Sequence, residues 1–185
     1  MNNSKLPELI VSEWINTPQP IRLSELRGKV VVIEAFQMLC PGCVAHGLPL
    51  ASRIAEAFPS DAVQVIGLHS VFEHHDVQGP RAALEAFVHE YRLSFPIAMD
   101  APAGDGGIPK TMRAYQLQGT PSLLIVDGQG QLRLNHFGRP DDLPIGAKIM
   151  ELIVEARASK TESPPSEITN AAEGGVCLAD GSGCS

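Results

Sequence analysis

The chain has 185 residues, of which 44% are apolar and 19% are charged, which suits one globular domain with a hydrophobic core. Its 14 Lys and Arg residues against 21 Asp and Glu residues give a formal net charge of -7, the wrong sign for a nucleic-acid-binding protein. No apolar run reaches the roughly 18 residues that span a bilayer, and residues 1 to 7 show no export signal. We therefore expect a cytoplasmic protein with neither a nucleic-acid nor a membrane partner.

The first half of the chain predicts a parallel β-α-β unit. Residues 30 to 36 form a β-branched, apolar run without alternation, which is typical of a strand covered on both faces. Residues 44 to 58 follow with apolar side chains at helical spacing, and Pro49 predicts a kink in that helix. Residues 62 to 69 predict a second strand, so the crossover should be right-handed.

The middle of the chain predicts two helices and a short strand between them. Residues 81 to 93 carry apolar side chains on one helical face. A short apolar run at residues 95 to 100 predicts a strand. Residues 108 to 117 predict a short helix, with Pro109 suited to its first turn.

The last part of the domain predicts an antiparallel pair and a closing helix. Residues 122 to 126 and 131 to 135 flank Asp-Gly-Gln-Gly, a strong hairpin signal. A final helix should begin near Asp142 and end near Ala158.

The composition changes at Ser159. Residues 159 to 185 are polar and rich in Gly, Ser and Pro, so we predict a domain at residues 1 to 158 and a flexible tail at 159 to 185. The tail contains Cys177 and Cys184. A flexible linker could bring them to the domain, so they are a candidate second redox pair; the alternative is a mobile tail with exposed thiols.

Cys40 and Cys43 stand where the first predicted strand meets its helix. The free N–H groups and the positive dipole end of a helix N-terminus favour a thiolate on the first cysteine. Thiolate is the form that attacks disulfides, so Cys40 is the candidate nucleophile. Cys43, one turn further along, is the candidate buried resolving cysteine.

Glu34 lies inside the predicted central strand, six residues before Cys40. A charged, unpaired carboxylate there would cost several kcal/mol, so we expect its pKa to be raised. Such a carboxyl could exchange a proton with Cys43 when a mixed disulfide resolves. The alternative is that Glu34 lies at the sheet rim or pairs with a basic group.

These residues together resemble the thioredoxin superfamily, in its TlpA-like or AhpC-TSA-type redoxin branch. The similarity covers residues 26 to 138, including the Cys-Pro-Gly-Cys motif and the step Gly119-Thr120-Pro121. It implies an α/β, thioredoxin-like fold with a mixed central sheet flanked by helices. It also implies an N-terminal hairpin at residues 10 to 21 and a central helical insertion at 72 to 100.

The resemblance also implies activity and site residues. It implies a thiol-disulfide oxidoreductase that cycles the Cys40–Cys43 couple and needs no cofactor. The base rate for X-Pro bonds favours trans, whereas the resemblance implies that Pro121 is cis and that Thr120 and Pro121 face the substrate. Pro41 and Gly42, between the cysteines, complete the expected substrate-binding set.

One departure from the family lies just before the motif, where Gln37-Met38-Leu39 replaces the usual Trp-containing segment. This predicts a substrate-facing surface unlike that of general thioredoxins. Peroxiredoxins place a Thr three residues before the reactive cysteine, at the position of Gln37, which disfavours the alternative of a thiol peroxidase.

A metal-binding or metal-delivery protein is the other alternative. The four cysteines could in principle hold zinc, and His46, His69, His74 and His75 could contribute to a copper site. The wide cysteine spacing disfavours zinc, and we expect the histidines to lie along a helix flank or in solvent. We therefore predict no metal site; a redox-inactive interaction domain is a third alternative.

The residues together favour a monomeric oxidoreductase. Its expected partners are a disulfide-containing protein or small molecule and an electron donor.

Overall fold

The computed structural model describes residues 5 to 104 and 106 to 161. Within these ranges, no helix is both long and apolar enough to cross a membrane. Cys177 and Cys184, and the predicted tail from residue 162 onward, lie outside the described residues.

A mixed sheet forms the centre of the domain, with strand order β1-β4-β3-β2-β5-β6. Central strand β2 pairs in parallel with β3 and antiparallel with β5, as predicted. All seven residues of β2 are buried, which agrees with its uninterrupted apolar run. The strands are β1 Val11–Ile15, β2 Val30–Phe36, β3 Val63–His69, β4 Ile97–Asp100, β5 Ser122–Val126 and β6 Leu132–Phe137.

Helices cover both faces of this sheet. One apolar layer packs side chains of α1, α3 and α5 against β2 and β3, and the other packs α4 and a 3-10 turn against the opposite face. The sheet is therefore buried on both sides, as in the α/β thioredoxin-like fold that we predicted. The helical elements are the 3-10 turn Leu23–Leu26, a π-helical turn Cys43–Gly47, α1 Leu48–Ala57, α2 His75–Gln78, α3 Arg81–Glu90, α4 Lys110–Ala114 and α5 Asp142–Thr161.

The predicted N-terminal hairpin at residues 10 to 21 is wrong in detail. The structure has one strand there, β1, which pairs antiparallel with β4 at the edge of the sheet. Asn16 ends it with a left-handed φ of 58, and Pro18 and Pro20 follow. Because proline has no backbone N–H, these residues cannot supply the donors of a return strand.

The helix after Cys43 also differs from the prediction. Ahead of Pro49 it opens with the π-helical turn, in which the Leu48 N–H donates to the Cys43 carbonyl. Pro49 has no N–H for the Ala45 carbonyl, so the regular bonding pattern cannot pass through this point. At the other end of the domain, α5 continues to Thr161, three residues beyond the predicted end at residue 158.

Candidate functional site

The two cysteines of the motif lie beside each other where β2 leads into the π-helical turn. Both are free thiols. Cys43 is fully buried, whereas Cys40 is only partly buried. Pro41 is exposed and Gly42 is half-buried between them. One sulfur can therefore meet a substrate while the other is shielded from solvent.

Hydrogen bonds around the two sulfurs are asymmetric. The Cys43 N–H donates to the Cys40 Sγ at 3.2 Å, and the Cys40 Sγ lies 3.5 Å from the Thr120 carbonyl oxygen. A backbone N–H at a helix start stabilises negative charge on the sulfur that accepts it. Burial, and then the hydrogen bond with the Cys40 side chain, raise the pKa of Cys43. The Cys40 sulfur thus accepts a backbone N–H, whereas burial favours the protonated form of Cys43.

The step before β5 faces the motif across the end of the sheet. The Thr120–Pro121 peptide bond is cis, as the resemblance implied. Pro121 is buried and Thr120 is half-buried. A Cβ placed on Gly42 would lie 3.2 Å from the Pro121 Cδ. Gly42 therefore lets the motif approach the proline closely.

Glu34 is the buried acid of the site, with 1% of its surface exposed. Its Oε1 has no hydrogen-bond partner among the described residues, nor does it form an ion pair with any of them. The alternative placement at a sheet rim or beside a basic group is therefore wrong. Burial, and then the negative charge of Cys40, raise the pKa of the Glu34 carboxyl well above its ordinary value.

Gly47 is a site residue that the sequence did not single out. It ends the π-helical turn, and a Cβ built on it would overlap the Glu34 Oε1 and lie 3.0 Å from the Pro121 Cβ. Its backbone φ of -61 is helical, so close contact rather than backbone conformation requires glycine here. Only the packing of the helix on β2 reveals this requirement.

A buried pair of glutamines was also missed. Gln78, at the end of α2, accepts a hydrogen bond from the Leu39 N–H at 3.0 Å, next to Cys40. Its Nε2 donates to the Gln37 Oε1 at 3.3 Å and to the Glu73 carbonyl at 3.0 Å. Both amide side chains are almost completely buried. They tie the insertion to the loop before Cys40; the only signal in the sequence was the unusual Gln37.

The histidines do not gather around the cysteines. His69 lies buried in β3, and neither ring nitrogen bonds to any described residue, which corrects the expectation that it lies in solvent. Burial lowers its pKa to about 4. His46, His74 and His75 are exposed on the π-helical turn and α2. Across the described part of the chain, no three metal-ligating side chains come close enough to hold an ion.

Solved structures confirm the fold. The chain is 54% identical to a thioredoxin-like superfamily protein, with a TM-score of 0.78, over 80% of this chain and 96% of the other. It is 48% identical to a thiol-disulfide isomerase from Corynebacterium glutamicum, also with a TM-score of 0.78, over 82% of this chain and 97% of the other.

Curated relatives are more distant. Protein DipZ of Mycobacterium tuberculosis is 28% identical over 86% of this chain, which spans only 22% of that protein's length. ResA of Halalkalibacterium halodurans, named a thiol-disulfide oxidoreductase, is 24% identical over 73% of this chain and 68% of its own. The predicted class, an oxidoreductase, is thus the class named for ResA.

The predicted cytoplasmic location is wrong. The relatives ResA and DipZ, together with solved neighbours named DsbE and StoA, point away from the cytoplasm, and one solved neighbour is described as secreted. The prediction rested on the lack of a recognisable export signal, which is not enough to infer a cytoplasmic location.

A family model covers most of the domain. It matches residues 3 to 135, from before β1 to the middle of β6, and so includes both motif cysteines and the cis-proline step. Together with the six-stranded sheet of the described residues and the solved neighbours, this match shows that the chain belongs to the AhpC/TSA family, as a redoxin of the thioredoxin superfamily.

Proposed function

We propose that the protein is a thiol-disulfide oxidoreductase whose redox couple is the Cys-Pro-Gly-Cys motif. One observation carries the proposal: the Cys40 Sγ accepts the Cys43 N–H at the start of a helix, while Cys43 itself is fully buried. This asymmetry suits one attacking and one resolving thiol. The names of the relatives support the same class of reaction.

The reaction proceeds through a mixed disulfide. The Cys40 thiolate attacks one sulfur of the substrate disulfide, forms a new S–S bond and releases the first substrate thiolate. Cys43 then loses its proton and attacks the Cys40 Sγ, which releases the second substrate thiolate. The substrate gains two electrons and the protein becomes a Cys40–Cys43 disulfide. A dithiol donor returns it to the reduced form.

Glu34 takes the proton that Cys43 loses. The pKa of Cys43 is raised by burial, so the resolving step needs a base close by. The buried carboxyl of Glu34 also has a raised pKa, which makes it a stronger base than an exposed carboxylate. Negative charge on Cys40 favours the protonated form of Glu34.

The substrate approaches over Thr120, Pro121, Pro41 and Gly42. The Thr120 carbonyl already lies 3.5 Å from the Cys40 Sγ. Of the unusual segment before the motif, Gln37 and Met38 are buried, whereas Leu39 is 54% exposed. Leu39 is therefore the residue of that segment that contacts the substrate.

Two serine variants test this function. Cys43→Ser should accumulate a mixed disulfide between Cys40 and a substrate such as insulin, whereas Cys40→Ser should neither form this adduct nor reduce insulin. Thiol trapping across a series of redox buffers should yield one two-electron transition for the unmodified protein. Absence of a reversible Cys40–Cys43 disulfide would overturn the proposal, and turnover of hydrogen peroxide at the same rate would favour a peroxidase.

A second, separate proposal concerns the two cysteines of the predicted tail. We propose that Cys177 and Cys184 exchange electrons with the Cys40–Cys43 couple. A Cys177→Ser/Cys184→Ser double variant should then turn over more slowly with at least one reductant. Unchanged turnover with every reductant would leave the motif couple as the whole redox unit.

A further inference from the structure

Two large apolar side chains stand exposed beside the motif. Leu39, directly before Cys40, is 54% exposed, and Phe137, the last residue of β6, is 52% exposed. Single exposed apolar residues are common on protein surfaces. The position of these two relative to the Cys40 sulfur is what gives them a role.

Phe137 is fixed on the cis-proline loop. A Cβ on Gly119 would lie 2.9 Å from the Phe137 Cε2 and 3.2 Å from its Cζ, so the edge of the ring rests on the glycine. Phe137 also pairs with Ser122 in the antiparallel ladder. The next residue, Gly138, donates its N–H to the Pro121 carbonyl at 2.8 Å. Ring and backbone therefore both hold Phe137 against the loop.

The ring shares a surface with the Cys40 sulfur. Thr120 directly follows Gly119, on which the ring rests, and its carbonyl oxygen lies 3.5 Å from the Cys40 Sγ. A chain segment that passes over this peptide bond toward Cys40 therefore crosses the exposed part of the Phe137 ring.

Leu39 lies on the other side of the sulfur. The strand order places β3 on one side of β2, and β5 and β6 on the other. The Leu39 N–H donates to Gln78 of α2, the helix that follows β3. Phe137 ends β6, two strands away from β2, which corresponds to about 10 Å. Cys40 therefore lies between two exposed apolar side chains, across the ends of the strands.

We propose that Leu39 and Phe137 bind apolar side chains on either side of the attacked cysteine in an extended polypeptide. This inference rests on the proposed function and assigns its substrate class, a protein disulfide in an extended segment. In an extended chain, the side chains of residues n-2, n and n+2 point the same way and are about 7 Å apart. When cysteine n meets Cys40, its neighbours at n-2 and n+2 reach the two apolar residues.

A small charged disulfide suits this surface less well. Oxidised glutathione carries carboxylates and ammonium groups, and placing them against Leu39 and Phe137 would remove water from charged groups without pairing them. The chain also has a formal net charge of -7, which disfavours an anionic substrate. Apolar side chains of a polypeptide instead gain free energy when they cover the two residues.

Three uncharged peptides, each with blocked ends and oxidised to a disulfide-linked dimer, test the proposal. The first is Ser-Phe-Ser-Cys-Ser-Leu-Ser, the second has serine in place of Phe and Leu, and the third is Ser-Ser-Phe-Cys-Leu-Ser-Ser. Acid quenching and thiol alkylation measure the rate constant at which each oxidises the reduced protein. The first should react about tenfold faster than the second. The third, with its apolar residues at n-1 and n+1, and oxidised glutathione should react more slowly than the first.

Variants assign the preference to Phe137. Phe137→Ser should lower the ratio of the rate constants of the first and second peptides about fivefold. Phe137→Leu keeps an apolar side chain on the loop and should lower this ratio less. Val154→Ser is the matched control, because Val154 is 55% exposed on α5. Two residues further along, Ala156 packs near Gly128, at the opposite end of β5, so the ratio should stay unchanged.

Equal rate constants for the first and second peptides would overturn the inference, as would an unchanged ratio in Phe137→Ser. A third peptide as fast as the first would overturn it too, because the spacing would then not matter. A faster reaction with oxidised glutathione than with any peptide would contradict the polypeptide substrate class. Failure of the unmodified protein to react with all four disulfides would instead contradict the proposed function.

Discussion

The Glu34 carboxyl occupies the space in which a side chain at Gly47 would lie. A Cβ on Gly47 would overlap the Glu34 Oε1 and approach the Pro121 Cβ to 3.0 Å. The buried acid, the helix after the motif and the cis-proline loop therefore meet at one glycine. This contact makes the position of the acid dependent on the helix that carries Cys43.

Gly47→Ala should destabilise the protein, although alanine is the better helix former. The added methyl overpacks a buried contact, for which a cost of about 1–3 kcal/mol in the free energy of unfolding is typical. Denaturant unfolding measures it. Gly146→Ala is the matched control, because that helical glycine has no atom within 4 Å of its Cβ position. It should stabilise α5 by about 0.5–1 kcal/mol, and a similar gain for Gly47→Ala would contradict the contact.

Glu34→Gln should increase stability at neutral pH. Because the folded-state pKa is raised above 4.5, the unfolded chain loses this proton first, and stability falls as the pH rises between the two pKa values. The gain of the variant at a pH above both is about 1.4 kcal/mol for each pH unit between them. This gain should vanish at a pH below the ordinary pKa of the carboxyl. Stability curves of the variant and the unmodified protein that run parallel at all pH values would refute the prediction. The same variant should resolve mixed disulfides more slowly.

Gln78→Leu should both destabilise the protein and alter Cys40. It leaves the Leu39 N–H without the acceptor that now lies at 3.0 Å, which costs about 1–3 kcal/mol for a buried donor. The freed loop should change the rate at which iodoacetamide alkylates Cys40. Gln64→Leu is the control, because among the described residues the side chain of this half-buried glutamine bonds to the neighbouring Val65 carbonyl alone. An unchanged alkylation rate in Gln78→Leu would show that Gln78 stabilises the fold but does not affect the reactivity of Cys40.

His69→Leu should make the fold less sensitive to acid. Burial lowers the pKa of His69 from 6.5 to about 4, so in this window the unfolded chain binds a proton that the folded protein does not. Stability therefore falls as the pH drops from 6.5 to about 4, by up to about 3 kcal/mol at roughly 1.4 kcal/mol per pH unit. Unfolding experiments over this pH range should show a smaller loss of the free energy of unfolding in the variant than in the unmodified protein. His89→Leu, at an exposed position, should retain the full loss.

Local patterns were sufficient for most of the secondary structure. The apolar run of β2 and the bounds of β5 agree with the prediction to the residue. This is because a central strand that is buried on both faces favours apolar residues along its whole length. The supposed hairpin near the N-terminus failed because the partner of β1 is β4, more than 80 residues further along the chain. No pattern in the local sequence indicates that pairing.

The sequence by itself determined the chemistry that the site can perform: two cysteines at a strand-to-helix junction, an acid inside a central strand and a Thr-Pro step before another. Each depends on residue type and on neighbours within one or two turns of chain. Only the tertiary structure decided which side chains meet. Gly47 against Glu34, Gln78 against the Leu39 N–H, and the burial of His69 all depend on strand register and helix packing, which bring together residues far apart in the chain.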